Sequence, residues 1–77
     1  MMKKIKWGVV GLGNIAHKFC EAIQDLENAE LYAVCSRSID KSQTFGSKYG
    51  VSLKRCYDTY EALLQDDAVD AIYIALP

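Results

Sequence analysis

Apolar residues at Ile5, Trp7, Val9 and Val10 form a short, nearly continuous run that ends in Gly11-Leu12-Gly13-Asn14-Ile15-Ala16. Such a run suits a central parallel strand covered on both faces, here Ile5 to Val10. Ile15, Phe19, Ala22, Ile23 and Leu26 then recur at helical spacing. They predict a first helix from Asn14 to Leu26 with those five side chains inward, and Asn28 is its stop signal. A second strand is expected at Glu30 to Ser36. A second helix follows at Ile39 to Tyr49, with Ser38 as N-cap, Gly50 as C-terminal cap, and Ile39, Phe45 and Tyr49 on its buried side. Gly46 inside that helix costs about 1 kcal/mol relative to alanine. A short strand near Lys54 to Tyr57 leads to a third helix, Thr59 to Gln65, with Leu63 and Leu64 inward. Asp58 and Glu61 have the spacing of a capping box at its start. Asp66, Asp67 and Asp70 read as solvated turn carboxylates before a last strand, Ala71 to Leu76, closed by Pro77.

Strands and helices alternate throughout, which predicts an α/β fold: part of a doubly wound parallel sheet with right-handed crossovers and strand order 3-2-1-4. That order brings the glycine turn, Ser36-Arg37 and Leu76-Pro77 to one edge of the sheet. It is the carboxyl edge, where ligands bind in open α/β sheets.

Composition adds limits. The chain has 77 residues, 51% of them hydrophobic, and a net charge of −1. This is the composition of a globular domain, and a doubly wound domain covering both sheet faces needs more than roughly 100 residues. The chain is therefore expected to be only part of such a domain. No apolar run approaches the roughly 18 residues that span a bilayer, and the stretch before the first strand is too short for a signal peptide. No basic block points to nucleic acid. Cys20, Cys35 and Cys56 are odd in number and far apart, a pattern that fits neither a zinc site nor a disulfide framework. They read as small buried hydrophobes in a reducing, cytoplasmic setting.

The chemistry sits in two places. A strand, then Gly-x-Gly-x-x-Ala, then a helix start is the order of a dinucleotide-binding unit. Gly11 permits the sharp turn, Gly13 lets a pyrophosphate approach the backbone, and Ala16 lets helix and strand pack closely. The free amides around Asn14 and Ile15 and the helix dipole favour an anion there. Gly11, Leu12, Gly13, Asn14 and Ile15 are thus the candidate diphosphate-binding residues. His17 lies near this end and is expected as a solvated side chain, with a phosphate contact as the alternative. The second place is the end of the second strand, where NAD-type sites carry an acid for the ribose hydroxyls. No acid occurs from Tyr32 to Ser38. Ser36 and Arg37 stand there instead, with Lys41 one helical turn on. A hydroxyl and two cations would bind a 2′-phosphate that a carboxylate would repel, which favours NADP over NAD.

Four features together, GVVGLGNIA at Gly8–Ala16, AVCSR at Ala33–Arg37, YDTYEALLQDDAVDAIYIALP at Tyr57–Pro77, and their spacing, resemble the N-terminal part of the Gfo/Idh/MocA oxidoreductases. The resemblance implies a Rossmann domain that binds NADP or NAD. It also implies a second domain for a sugar, a polyol or a related compound, and hydride transfer between nicotinamide and a substrate carbon. By position it places Gly11, Gly13, Asn14 and Ile15 around the pyrophosphate, Ser36, Arg37 and Lys41 at the adenosine ribose, and Leu76 and Pro77 beside the nicotinamide ribose. The family's catalytic lysine, in a Glu-Lys-Pro motif, and its downstream catalytic histidine or aspartate have no counterpart here. The chain alone is therefore expected to be inactive, and no catalytic residue or metal ligand is assigned to it. A non-enzymatic dinucleotide-sensing module is the alternative, and a methyltransferase is disfavoured by Ser36-Arg37 in place of an acid. The last strand, AIYIAL, would form a bare apolar sheet edge, which predicts self-association.

Overall fold

A computed structural model of the chain describes residues 3–75. The elements are β1 (Ile5–Val10), α1 (Asn14–Gln24), β2 (Ala29–Cys35), α2 (Ile39–Lys48), a 3-10 turn (Leu53–Arg55), β3 (Cys56–Tyr57), α3 (Tyr60–Leu64) and β4 (Ala71–Ile74). All strands pair in parallel, in the order β3-β2-β1-β4, as expected from the alternation of elements. The third strand is shorter than expected because its first half is wound into the 3-10 turn, and Leu76 and Pro77 lie outside the described residues.

Successive residues of a strand face opposite sides, so the sheet builds two cores. Val9, Val34, Ala16, Cys20, Ile23 and Phe45 pack on one side under α1 and α2. Val10, Ala33, Cys35 and Leu63 pack on the other, under α3. The register between β1 and β2 slips by one residue, so that Trp7 faces Leu31 but Gly8 faces Ala33. The carbonyl of the skipped Tyr32 accepts instead from Arg55 Nε at 2.8 Å, and the guanidinium lies 4.1 Å from the centre of the Tyr32 ring.

Helix faces differ from their sequence reading. In α1 the buried residues are Ala16, Cys20 and Ile23, with Phe19 half-buried, while Ile15 is 58% exposed, Leu26 52% exposed and Ala22 exposed. Small side chains let the helix lie close to the sheet, and the bulkier Ile15 is turned to the helix start, outward. Leu26 falls beyond the end of α1, which stops at Gln24. Phe19 stacks on Tyr73 with ring centres 3.9 Å apart and meets Trp7 edge-on at 5.2 Å. In α2 the inward residues are Ser42, Phe45 and Gly46; Tyr49 is half-buried and Ile39 is 39% exposed. Gly46 is required there: a Cβ would come within 2.6 Å of Cys56 Sγ. The close approach of α2 to β3 offsets the glycine's helix penalty. The helix ends in a Schellman motif, with Gly50 at φ 77°, Val51 N–H bonded to Gly46 O at 2.8 Å and Gly50 N–H to Ser47 O at 3.4 Å.

The third helix is capped by Thr59 rather than by Asp58, its hydroxyl accepting from Ala62 N–H at 3.2 Å. Leu63 is buried but Leu64 is 67% exposed, because a helix of five residues presents one position, not two, to the sheet. Two of the three acids in the following turn are structural rather than merely solvated. Asp66 accepts from Tyr57 OH at 2.6 Å and from Ala68 N–H at 3.0 Å, and Asp70 Oδ2 accepts from Lys6 N–H at 2.9 Å. Burial and then Asp66 push the Tyr57 phenol up to about 12. Among the described residues no helix is long and apolar enough to cross a membrane.

Candidate functional site

The carboxyl ends of β1, β2 and β4 meet where the chain leaves each strand. After Val10 the backbone turns at Gly11, whose φ of 85° is open to glycine and strained for a residue with a Cβ. Gly11 N–H bonds to Cys35 O at 3.1 Å, tying the turn to the end of β2, and Ala75 N–H bonds to Val10 O at 2.8 Å, bringing in the end of β4. Gly13 is the N-cap of α1, extended at φ −96°, and no side chain caps the helix. The first helical bond runs from His17 N–H to Gly13 O at 3.2 Å, so the amides of Asn14, Ile15 and Ala16 precede it. A Cβ on Gly13 would meet no heavy atom within 4 Å, so this end of the helix opens onto free space.

That space is a cleft of about 380 Å³ lined by Gly11, Leu12, Gly13, Ser36, Arg37, Ser38, Lys41, Tyr60 and Ala75. Six of the sequence candidates thus line one cleft: Gly11, Leu12, Gly13, Ser36, Arg37 and Lys41. Asn14 and Ile15 lie exposed at the adjoining helix start and do not line it. Leu76 and Pro77 fall outside the described residues. Arg37 and Lys41 are exposed, so the part of the cleft they line is cationic. Beyond Lys41 the surface continues as a groove between α1 and α2 that reaches Lys48.

Sequence reasoning missed Ser38, Tyr60 and Ala75 as lining residues. Ser38 was legible only as a helix cap, and its Oγ does accept from Lys41 N–H at 3.3 Å. Tyr60, 46% exposed, sits one residue after the cap of α3, where no periodic signal marks it. Ser36 lines the cleft, but its hydroxyl is turned to its own chain: Oγ lies 2.8 Å from Ser38 O and 2.8 Å from Ser42 Oγ. His17 does not line the cleft; it lines the groove beyond Lys41. It is half-buried between α1 and α2, with Nδ1 2.7 Å from Tyr49 OH and its ring 4.5 Å from that of Phe45.

The three cysteines are free and buried, as their spacing suggested. Burial, with Glu21 adding to it, pushes the Cys20 thiol up to about 12. Cys35 is raised by burial and by Asp58 and Glu61; Cys56 is raised by burial against the opposing charge of Arg55. None has the depressed pKa of a reactive thiol.

The sequence profile of an oxidoreductase family with an NAD-binding Rossmann fold, Gfo/Idh/MocA, matches residues 5–77. Oxidoreductase P35 of Formosa agariphila is 40% identical over 78 residues, which cover 100% of this chain and 24% of that protein. The structure of KijD10, a 3-ketoreductase from Actinomadura kijaniata in complex with NADP, superposes with a TM-score of 0.87 at 33% identity, over 97% of this chain and 23% of its own. The WlbA dehydrogenase from Bordetella pertussis, in complex with NADH and UDP-GlcNAcA, gives a TM-score of 0.83 at 28% identity over 97% and 23%. The chain spans about a quarter of the length of the proteins it matches.

Proposed function

The chain belongs to the Gfo/Idh/MocA oxidoreductase family, and from that premise we propose that residues 1–77 are the N-terminal, dinucleotide-binding part of a larger NAD(P)-dependent oxidoreductase. The observation that carries this reading is that Gly13, at the uncapped start of α1, lines one cleft with Arg37 and Lys41. A diphosphate needs amide donors and close backbone approach, which the Gly11–Ile15 turn offers. The ribose end needs a partner matched to its charge. Arg37 and Lys41 match a 2′-phosphate, so NADP is the preferred cofactor and NAD the weaker one.

The cofactor supplies hydride transfer at its nicotinamide, and this chain's residues bind and orient it. Leu76 and Pro77 border the nicotinamide ribose in this reading, and the substrate is a sugar, a polyol or a related compound held by the remainder of the protein. No residue of this chain is assigned as the acid or base, so the chain alone binds cofactor without turning substrate over.

β4 lies at the edge of the sheet with Ile74 65% exposed, beside an apolar trough lined by Val10, Tyr60, Leu63, Leu64, Ile72 and Ile74. An open apolar edge pairs readily. Self-association of the isolated chain through β4 is the expected consequence, and a monomer by light scattering at high concentration would rule it out.

Titration with NADP and with NAD, followed by amide NMR, tests the cofactor reading. Shifts should centre on Gly11 to Ile15 with both nucleotides and extend to Arg37 and Lys41 more strongly with NADP. Unmoved amides in the glycine turn would refute it.

A further inference from the structure

Ser42 is the one fully buried polar side chain among the described residues, and it stands where three elements meet. From α2 its Oγ donates to Tyr57 O, at the end of β3, at 2.8 Å and lies 2.8 Å from Ser36 Oγ, just past the end of β2. Tyr57 O also accepts from Ser36 N–H at 3.2 Å. A hydroxyl has one proton to give. With that of Ser42 on Tyr57 O, the proton of Ser36 goes to Ser42 Oγ or to Ser38 O, both 2.8 Å away. Ser38 N–H in turn points to Ser36 Oγ at 3.3 Å. Either way the Ser36 proton is kept inside the protein, unlike that of Ser38, whose Oγ is the acceptor in its contact with Lys41 N–H.

We propose that Ser42 is a positioning residue for cofactor selection: its hydroxyl chain to Ser36 and Tyr57 holds the turn that carries Arg37 and Ser38 over the cleft. Arg37, Ser38 and Lys41, rather than Ser36, then meet the charge at the ribose end of the nucleotide. This rests on the dinucleotide reading of the cleft. The physical reason is the steep distance and angle dependence of charge-assisted hydrogen bonds. A turn free to move by a fraction of an ångström keeps its charge but loses the geometry that a 2′-phosphate rewards. A ribose hydroxyl, with weaker contacts to the same turn, registers the change less.

The test is calorimetric titration of the wild-type chain, Ser42→Ala, Ser36→Ala and the double variant with NADP and with NAD, each checked for folding by thermal melting. Ser42→Ala should weaken NADP on the order of tenfold and NAD by less than about threefold. Ser36→Ala should do the same, and the double variant should lose no more than either single one, as expected of residues that act as a unit. Should Ser42→Ala not fold, Ser42→Cys, which keeps the shape with a weak donor, takes its place and should show a smaller fall in the NADP-to-NAD ratio. An unchanged ratio in a folded Ser42 variant, or additive losses in the double, would overturn the positioning role. Wild-type chain that binds neither nucleotide would instead overturn the dinucleotide reading, and this proposal with it.

Discussion

The helices α1 and α2 begin at the same edge of the sheet and are finished in opposite ways. At α2 the hydroxyl of Ser38 accepts the Lys41 N–H, so the chain satisfies its own helix end. At α1 the cap position is Gly13, which lines the cleft and has no side chain to offer, so the first-turn amides go without a side-chain cap. Capping residues stabilise a helix by about 1 kcal/mol, and α1 forgoes that. Its stability comes from Ala16, Cys20 and Ile23 packed on the sheet, so the helix tolerates an open end. The same strand-turn-helix unit thus occurs twice with two kinds of end: α1 keeps its first-turn amides free of a side-chain cap, and α2 closes its own beside Arg37 and Lys41. In the proposed function the first end takes the diphosphate and the second the ribose end.

The largest expected effect comes from closing the open end. Gly13→Asp supplies a cap at an extended position where a Cβ meets nothing, so the fold should melt at the same temperature or slightly higher. Its carboxylate occupies the amides and repels a diphosphate, so dinucleotide affinity should fall more than about a hundredfold. Retained binding by calorimetry would break the comparison. Next in size, Arg37→Ala should weaken NADP by about tenfold while NAD changes by less than about twofold. Equal losses for both nucleotides would place Arg37 at the diphosphate or adenine instead.

Opening the closed end is smaller still. Ser38→Ala should cost about 1 kcal/mol and lower the melting temperature by roughly 4–8 °C, a change no substitution at the α1 cap should reproduce. No effect at all is expected near neutrality from the raised groups of the scaffold, and alkali alone brings one out. Cys20 and Tyr57 both hold their protons up to about 12, above the ordinary values of 9.0 and 10.0. The folded chain therefore binds these protons more tightly than the unfolded one. The stability this gives is fully present below about pH 9 and is lost as pH rises through 9 to 12. Urea midpoints should be flat with respect to these groups from pH 6 to 8 and decline above pH 9. A midpoint that rises above pH 9 would contradict the burial of these groups.

Much of the fold and two thirds of the cleft lining are legible in the order of residues. The apolar run of β1, the glycine turn behind it and the alternation of elements suffice for a parallel 3-2-1-4 sheet. The absence of an acid at Tyr32 to Ser38 marks the cationic wall. These are local facts: strand periodicity, glycine conformation and the sign of a charge act over a few residues, and chain connectivity does the rest.

Which side of a helix is buried, and where a hydroxyl points, needed the assembled fold. Ile23 and Phe19 were legible as inward, but Ile15 and Leu26 are more hydrophobic than Ala16 and Cys20 and are nonetheless exposed: the assembled sheet buries Ala16 and Cys20, and Leu26 lies past the end of α1. Gly46 reads as a weakness until Cys56 stands beside it. Ser36 reads as a free hydroxyl until the fold brings Ser42, six positions on, to 2.8 Å from its Oγ. A residue's type and spacing are properties of the chain, whereas its partners and its distance from the next element exist only once the sheet has brought distant segments together.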